Sequence, residues 1–238
     1  MSGQRRRHVP PAARFLQAAG ILGCCAALSA GAAEVALDVG HYAGEPGVIS
    51  ATGRPEFEYN LVLAQEVKAE LETRGLQVRL IGERGDYDKL GRRTRDAKGA
   101  DLFVSIHHDS VKERLLPRAD EFSGFSLFVS RNNPRASKSL ACASRIGQAM
   151  RESGFMPSRY HADAVLGESR PFADEKNGVH YYENLAVGRS AAMPSVLVEA
   201  GVIVNREEEK RMRDPAVRTK IAVAVAEGVK ACLQERSR

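Results

Sequence analysis

Two histidines and an aspartate, His107-His108-Asp109, stand directly after the apolar run from Leu102 to Ile106. A run without alternation suits a strand buried on both faces of a parallel sheet. The carboxyl end of such a strand is where ligands and catalytic groups gather in open α/β sheets. Imidazoles delivered there suggest a metal; a satisfied pair of surface histidines is the plain alternative. A second strand, Glu34 to Val39, also delivers a histidine, His41, after Gly40. A third apolar run, Ser195 to Glu199, ends in a carboxylate. Glu56 opens a helical pattern, where an acid commonly does no more than complement the helix dipole. Two imidazoles and one carboxylate with an open fourth position form a catalytic zinc set. A second, unbound carboxylate must then carry the water's proton to the leaving group, and Glu199 suits that role. The residue types permit His41, Glu56, His107 and Glu199 to act together, although no spacing rule unites positions so far apart.

The elements that must position these groups alternate between strand and helix. Strands are predicted over 34–39, 77–81, 102–106, 122–129 and 195–199. Apolar residues at three- and four-residue spacing predict helices over 56–74, 136–153 and 215–233, with a polar, basic helix over 87–98. In the first helix Phe57, Leu61, Ala64, Val67 and Leu71 read as the inward face. This order implies an α/β fold: a single layered domain with a mostly parallel or mixed central sheet flanked by helices. Residues 156–188 follow neither period well. They read as a long, partly helical insertion over the cleft, with His161 and His180 as surface or lid residues.

The first residues differ in kind. Arg5, Arg6 and Arg7 precede an apolar stretch that ends in Ser29-Ala30-Gly31-Ala32-Ala33, small residues suited to signal peptidase. Residues 1–33 are therefore predicted to be a signal peptide, with 34–238 as the catalytic domain, exported to the periplasm or the exterior. Ile21-Leu22-Gly23-Cys24 faintly resembles a lipoprotein box, so a form anchored through Cys24 is a second reading. No membrane span is expected in the mature chain. The whole chain carries a net charge of +5, but the leader holds four arginines and no acid, which leaves 31 basic against 30 acidic residues. A nucleic-acid partner loses its main support. Cys142 and Cys232 lie in helical patterns; they could pair in an oxidising compartment, but buried core thiols are the commoner case.

The motifs Leu37-Asp38-Val39-Gly40-His41, Glu56-Phe57-Glu58-Tyr59-Asn60, Leu90 through Arg93 to Ala97, Ala100 to His107, and Pro194 to Gly201 with Asn205 together resemble the zinc-dependent N-acetylmuramoyl-L-alanine amidases that cut peptidoglycan during cell separation. The resemblance covers about Val35 to Leu233. It implies His41, Glu56 and His107 as ligands to one zinc ion, Glu199 as the catalytic carboxylate, and Arg189 as an arginine near the substrate. It implies peptidoglycan as the substrate, with a protein activator or targeting partner to place the enzyme. The family usually has Ala-Asn where this chain has His108-Asp109. Strand alternation points His108 away from the side taken by His107, and Asp109 reads as a carboxylate supporting a ligand imidazole. Two alternatives on the same fold are a non-catalytic wall-binding module and a zinc hydrolase of soluble acyl-amino acids or peptides.

Overall fold

The computed structural model describes residues 1–3 and 31–235. The chain divides into two units, Met1–Gly31 and Ala32–Arg238, and every element among the described residues lies in the second. The leader read over 1–33, with Cys24, lies almost wholly outside the described residues. No helix among the described residues is long and apolar enough to cross a membrane.

β1 (Glu34–Val39) runs through a long loop into α1 (Glu56–Thr73), followed by β2 (Gln77–Ile81) and α2 (Leu90–Asp96). β3 (Leu102–Asp109), β4 (Ser126–Val129) and α3 (Ala136–Glu152) come next, then β5 (Phe172–Asp174), β6 (Val179–Tyr181) and the short α4 (Ala186–Ser190). β7 (Ser195–Val202), α5 (Arg206–Arg213) and α6 (Pro215–Gln234) complete the domain. The strands form one seven-stranded sheet in the order β2-β1-β3-β7-β4-β6-β5. β2, β1, β3 and β7 are mutually parallel, β4 turns antiparallel to β7, and β6 runs parallel to β4. The layered α/β domain with a mixed sheet is thus as expected.

Alternation along the strands gives the sheet two unequal faces. Leu37, Val104, Ile106 and Val198 point to the side of α1 and α3, which both pack on α6. Phe103, Phe128 and Leu197 point to the other side, where the shorter α2 and α4 meet. α1 forms because Tyr59, Leu63, Ala64, Val67 and Leu71 make one buried stripe. Its centre lies slightly off the expected face, since Phe57 and Leu61 are only partly buried. Full burial of a side chain such as Leu63 stabilises by roughly 1.5–3 kcal/mol. Gly75 ends the helix at φ +79°, a conformation that costs glycine nothing. α6 starts sharply because Asp214 accepts the Ala216 N–H at 2.8 Å and Pro215 occupies the first helical position.

The structure corrects several expectations. Residues 156–188 are partly helical, with a short turn at Tyr160–Ala162 and the start of α4, and Tyr182 and Leu185 do wall the cleft, but the segment also supplies β5 and β6, which widen the sheet beyond β4. β4 starts at Ser126 rather than Phe122, after Gly124 turns the chain at φ +98°. α5 was not anticipated; Asn205 caps it by accepting the N–H groups of Glu207 and Glu208. Cys142 and Cys232 are a disulfide rather than two core thiols, with Cα atoms 5.0 Å apart. The close packing of α3 on α6 brings them within reach, a long-range fact that helical periodicity does not carry.

Candidate active site

β1 ends at Val39 and the chain turns through Gly40 and His41. A Cβ on Gly40 would overlap the His107 imidazole, so glycine lets that ring lie across the strand end. His41 takes φ +65°, a left-handed conformation that costs a non-glycine residue on the order of 1–3 kcal/mol. Buried Arg93 on α2 holds it there. Its Nη2 donates to the His41 carbonyl, and its Nη1 donates to the Val39 carbonyl at 2.5 Å and to Asp38 Oδ1 at 2.6 Å. Ser105 Oγ donates to the other Asp38 oxygen at 2.6 Å.

Glu56, the first residue of α1, is buried between the two histidines. Its Oε2 lies 3.0 Å from His41 Nε2, and its Oε1 lies 3.0 Å from His107 Nδ1. Burial alone would push this carboxyl up. Hydrogen bonding by His107 and His41, with their charge, outweighs burial and holds the group well below the usual carboxylate range. A Cβ on Gly47 would overlap Glu56 Oε2, so the loop closes over the carboxylate only as glycine. The donor atoms of His41, Glu56 and His107 lie within 4.8 Å of one another. Two imidazoles and an ionised carboxylate converging at a strand end fit a metal ion.

Glu199 lies on β7 directly beside His107 in the parallel ladder. Its Oε2 is buried without a hydrogen-bond partner. Burial pushes its carboxyl well above the ordinary range, and the negative charges of Asp109 and Glu56 add to the rise while Arg170 opposes it. Such a group can hold and release a proton where ordinary carboxylates stay ionised. A cleft of about 370 Å³ opens on this face beside His41 and His107, walled by Tyr42, Tyr87, Tyr182 and Leu185. A larger hollow of about 660 Å³, between Lys98, Arg135 and Pro194, holds none of these groups.

His41, Glu56, His107 and Glu199 thus come together as the sequence suggests. Arg189 does not join them: it is exposed on α4 and does not line the cleft. His108 points to the α1 side, where its Nδ1 meets Asn60 Oδ1 at 2.8 Å, and burial pushes its imidazole down to about 4. Asp109 supports a different imidazole from the one expected. A register shift follows His107, and Asp109 Oδ2 meets His161 Nε2 at 2.6 Å. His161 and His180 are not surface or lid residues; both are buried, against Phe128. His161 Nδ1 also meets Glu168 Oε2 at 2.8 Å, and Arg170 pairs with that same oxygen. Sequence reading missed the roles of Arg93 and Asn60 because Arg92 and Arg95 look alike in type and Asn60 sits inside an ordinary amphipathic pattern.

Three metal-type donors at the carboxyl edge of an α/β sheet, with a further carboxylate alongside whose Oε2 is unpartnered, form the kind of arrangement that metal-assisted hydrolases use. The profile of the N-acetylmuramoyl-L-alanine amidase family matches residues 35–231, and the chain belongs to that family. N-acetylmuramoyl-L-alanine amidase AmiA of Escherichia coli (strain K12) is 31% identical over 227 residues, covering 84% of this chain and 76% of the relative. AmiC of Neisseria meningitidis serogroup B, of the same activity by name, is 29% identical over 221 residues, 82% of this chain and 51% of the relative. Among solved structures, the amidase Ami1 of Mycobacterium smegmatis shares the fold with a TM-score of 0.69 at 22% identity, covering 85% of this chain and 97% of that one. The catalytic domain of the amidase CwlV of Bacillus (Paenibacillus) polymyxa var. colistinus aligns with a TM-score of 0.67 at 25% identity, covering 85% and 98%. The resemblance read from the sequence motifs is borne out.

Proposed function

We propose that this chain is a zinc-dependent peptidoglycan hydrolase that cleaves the amide between the lactyl group of N-acetylmuramic acid and the L-alanine of the stem peptide. Family membership supports the reaction class. The observation that carries the mechanism is the buried, unpartnered Oε2 of Glu199 next to the His41–Glu56–His107 cluster. His41, Glu56 and His107 would hold the ion, beside the cleft that His41 and His107 line. When bound, zinc polarises the scissile carbonyl and lowers the pKa of the attacking water to roughly 7. Glu199 takes the proton that this water loses. It then returns the proton to the departing L-alanine nitrogen, so that water is split between the new lactyl carboxyl and the freed amine. The raised proton affinity of Glu199 suits the second half of that cycle.

Export to the periplasm or exterior fits this substrate. The Cys142–Cys232 disulfide supports it, because such bonds persist in oxidising compartments. Purified sacculi test the reaction directly. Mass analysis should show free L-alanine amino termini and intact muramic acid, with release lost in E199Q. Products cut at a glycosidic bond or inside the stem peptide would overturn the reading.

A further inference from the structure

Asn60 lies one turn after Glu56 on α1 and is fully buried. Its Nδ2 donates to Glu56 Oε1 at 3.0 Å and to the Gly40 carbonyl at 3.2 Å. Both partners are acceptors, so the amide must present its nitrogen to them and its oxygen to the opposite side. That oxygen meets His108 Nδ1 at 2.8 Å. Oxygen can only accept, so Nδ1 carries the imidazole proton and His108 donates. The His108 backbone N–H also donates to Glu56 Oε1, at 3.2 Å. One carboxylate oxygen of the metal cluster is therefore oriented twice by His108, once through its backbone and once through Asn60.

The other ring nitrogen makes the imidazole's presence informative. His108 is 2% exposed and its Nε2 is buried without a hydrogen-bond partner. A buried acceptor left unpaired costs stability. An apolar side chain could pack on the neighbouring Tyr59 ring, whose centroid is 5.6 Å away, and avoid that cost. The ring's packing alone does not call for a histidine; its Nδ1–H does.

We propose that His108 is a positioning residue, whose Nδ1–H locks the Asn60 amide so that the Glu56 carboxylate stays turned with Oε1 toward His107 and Oε2 toward His41, in the arrangement that binds zinc. The inference rests on the zinc amidase reading and deepens it. Groups that orient a metal ligand from behind affect metal affinity directly, so the test reads zinc binding rather than turnover. Zinc affinity is measured by competition with a chromophoric chelator, and the Co²⁺-substituted protein supplies an absorption spectrum of the site. H108M, which keeps the packing and drops the donor, should weaken zinc binding by about 10–100-fold. H108N, which places an amide N–H where Nδ1–H stands, should recover most of that loss. N60A should weaken binding similarly, and adding H108M to N60A should change little further. Melting of the zinc-free variants checks that each one folds. Equal zinc affinity and an unchanged Co²⁺ spectrum in H108M would overturn the proposal, as would H108N binding as weakly as H108M. Wild-type protein that takes up no zinc would show the metal reading itself to be wrong, before any substitution is compared.

Discussion

His107 and Glu199 are register partners on adjacent parallel strands, β3 and β7. Side chains in register across a parallel pair share one face, with their strands about 4.8 Å apart. The His107 imidazole of the candidate metal site and the Glu199 carboxylate are thus neighbours through sheet geometry and owe nothing to a loop. Glu199 continues the row to Ser126 on β4, so the acid is flanked by rigid backbone on both sides. Sites carried on such elements hold their geometry better than sites on loops. His41 is the exception: it sits on a turn and depends on Arg93 for its placement.

Glu199→Gln keeps the size and hydrogen-bonding reach of the side chain and removes its proton chemistry. Turnover on purified sacculi should fall by about 10²–10⁴-fold, the usual worth of general acid–base catalysis. Zinc content should remain that of the wild type, because Glu199 is not a member of the donor cluster. Retained turnover in E199Q would show that another group moves the proton.

Gly40→Ala tests the approach of the His107 ring to the strand end. The new methyl would occupy the space of that ring, and β1 cannot retreat because it is paired on both sides by β2 and β3. Zinc affinity should drop on the order of 10–100-fold, while circular dichroism stays that of a folded α/β protein. An alanine variant with native zinc affinity would mean that the ring can move aside without losing the site.

β3 and β7 were legible as continuous apolar runs, and the polar groups at their ends mark the edge that carries the candidate site. His41, His107 and Glu199 stand at strand ends as that rule expects, whereas Glu56, the first residue of α1, is singled out by the family motifs alone. The antiparallel extension was not legible: Phe172–Asp174 and Val179–Tyr181 are each only three residues long, too short for a period to show. His161 looked like a surface residue because its partners Asp109 and Glu168 lie 52 and 7 positions away. Arg93 escaped for a related reason. A buried arginine differs from an exposed one in its long-range acceptors, and those are written at Asp38, Val39 and His41 rather than around position 93.

Arg93→Lys should therefore be far from conservative. A lysine is a point donor and cannot reach Asp38 and the two backbone carbonyls in one plane. A buried acceptor left without its donor costs about 1–3 kcal/mol, and the His41 turn would lose its anchor as well. Urea unfolding should show a loss of that size, accompanied by weaker zinc binding. Native stability in R93K would show that a single ammonium satisfies Asp38 and the two backbone carbonyls.

The Cys142–Cys232 bridge closes a loop of 90 residues between α3 and α6. Removing it should cost about 2–5 kcal/mol, seen as a lower melting temperature in C142S/C232S and in wild-type protein treated with reductant. Both cysteines lie on the sheet face opposite the cleft. Activity measured well below the melting transition should then be unchanged. A variant that melts normally would mean that packing of α3 on α6 holds without the bond.

His161 gives the protein a pH-dependent stability with a definite sign. Burial works to lower its pKa from 6.5, but the charge and hydrogen bonds of Asp109 and Glu168 outweigh burial and raise it to about 9. A histidine whose pKa is raised by folding stabilises fully below its unfolded value and loses that contribution as pH rises through the folded value. The wild-type melting temperature should accordingly fall between pH 6.5 and about 9, in buffers of constant ionic strength. His161→Gln retains hydrogen-bonding capacity but cannot carry the charge between the two acids. It should be less stable than wild type at pH 6.5 and nearly flat across the window, so that the two curves converge above about pH 9. Parallel curves for the two proteins would show that His161 is neutral in the folded state and that Asp109 and Glu168 are held by other donors.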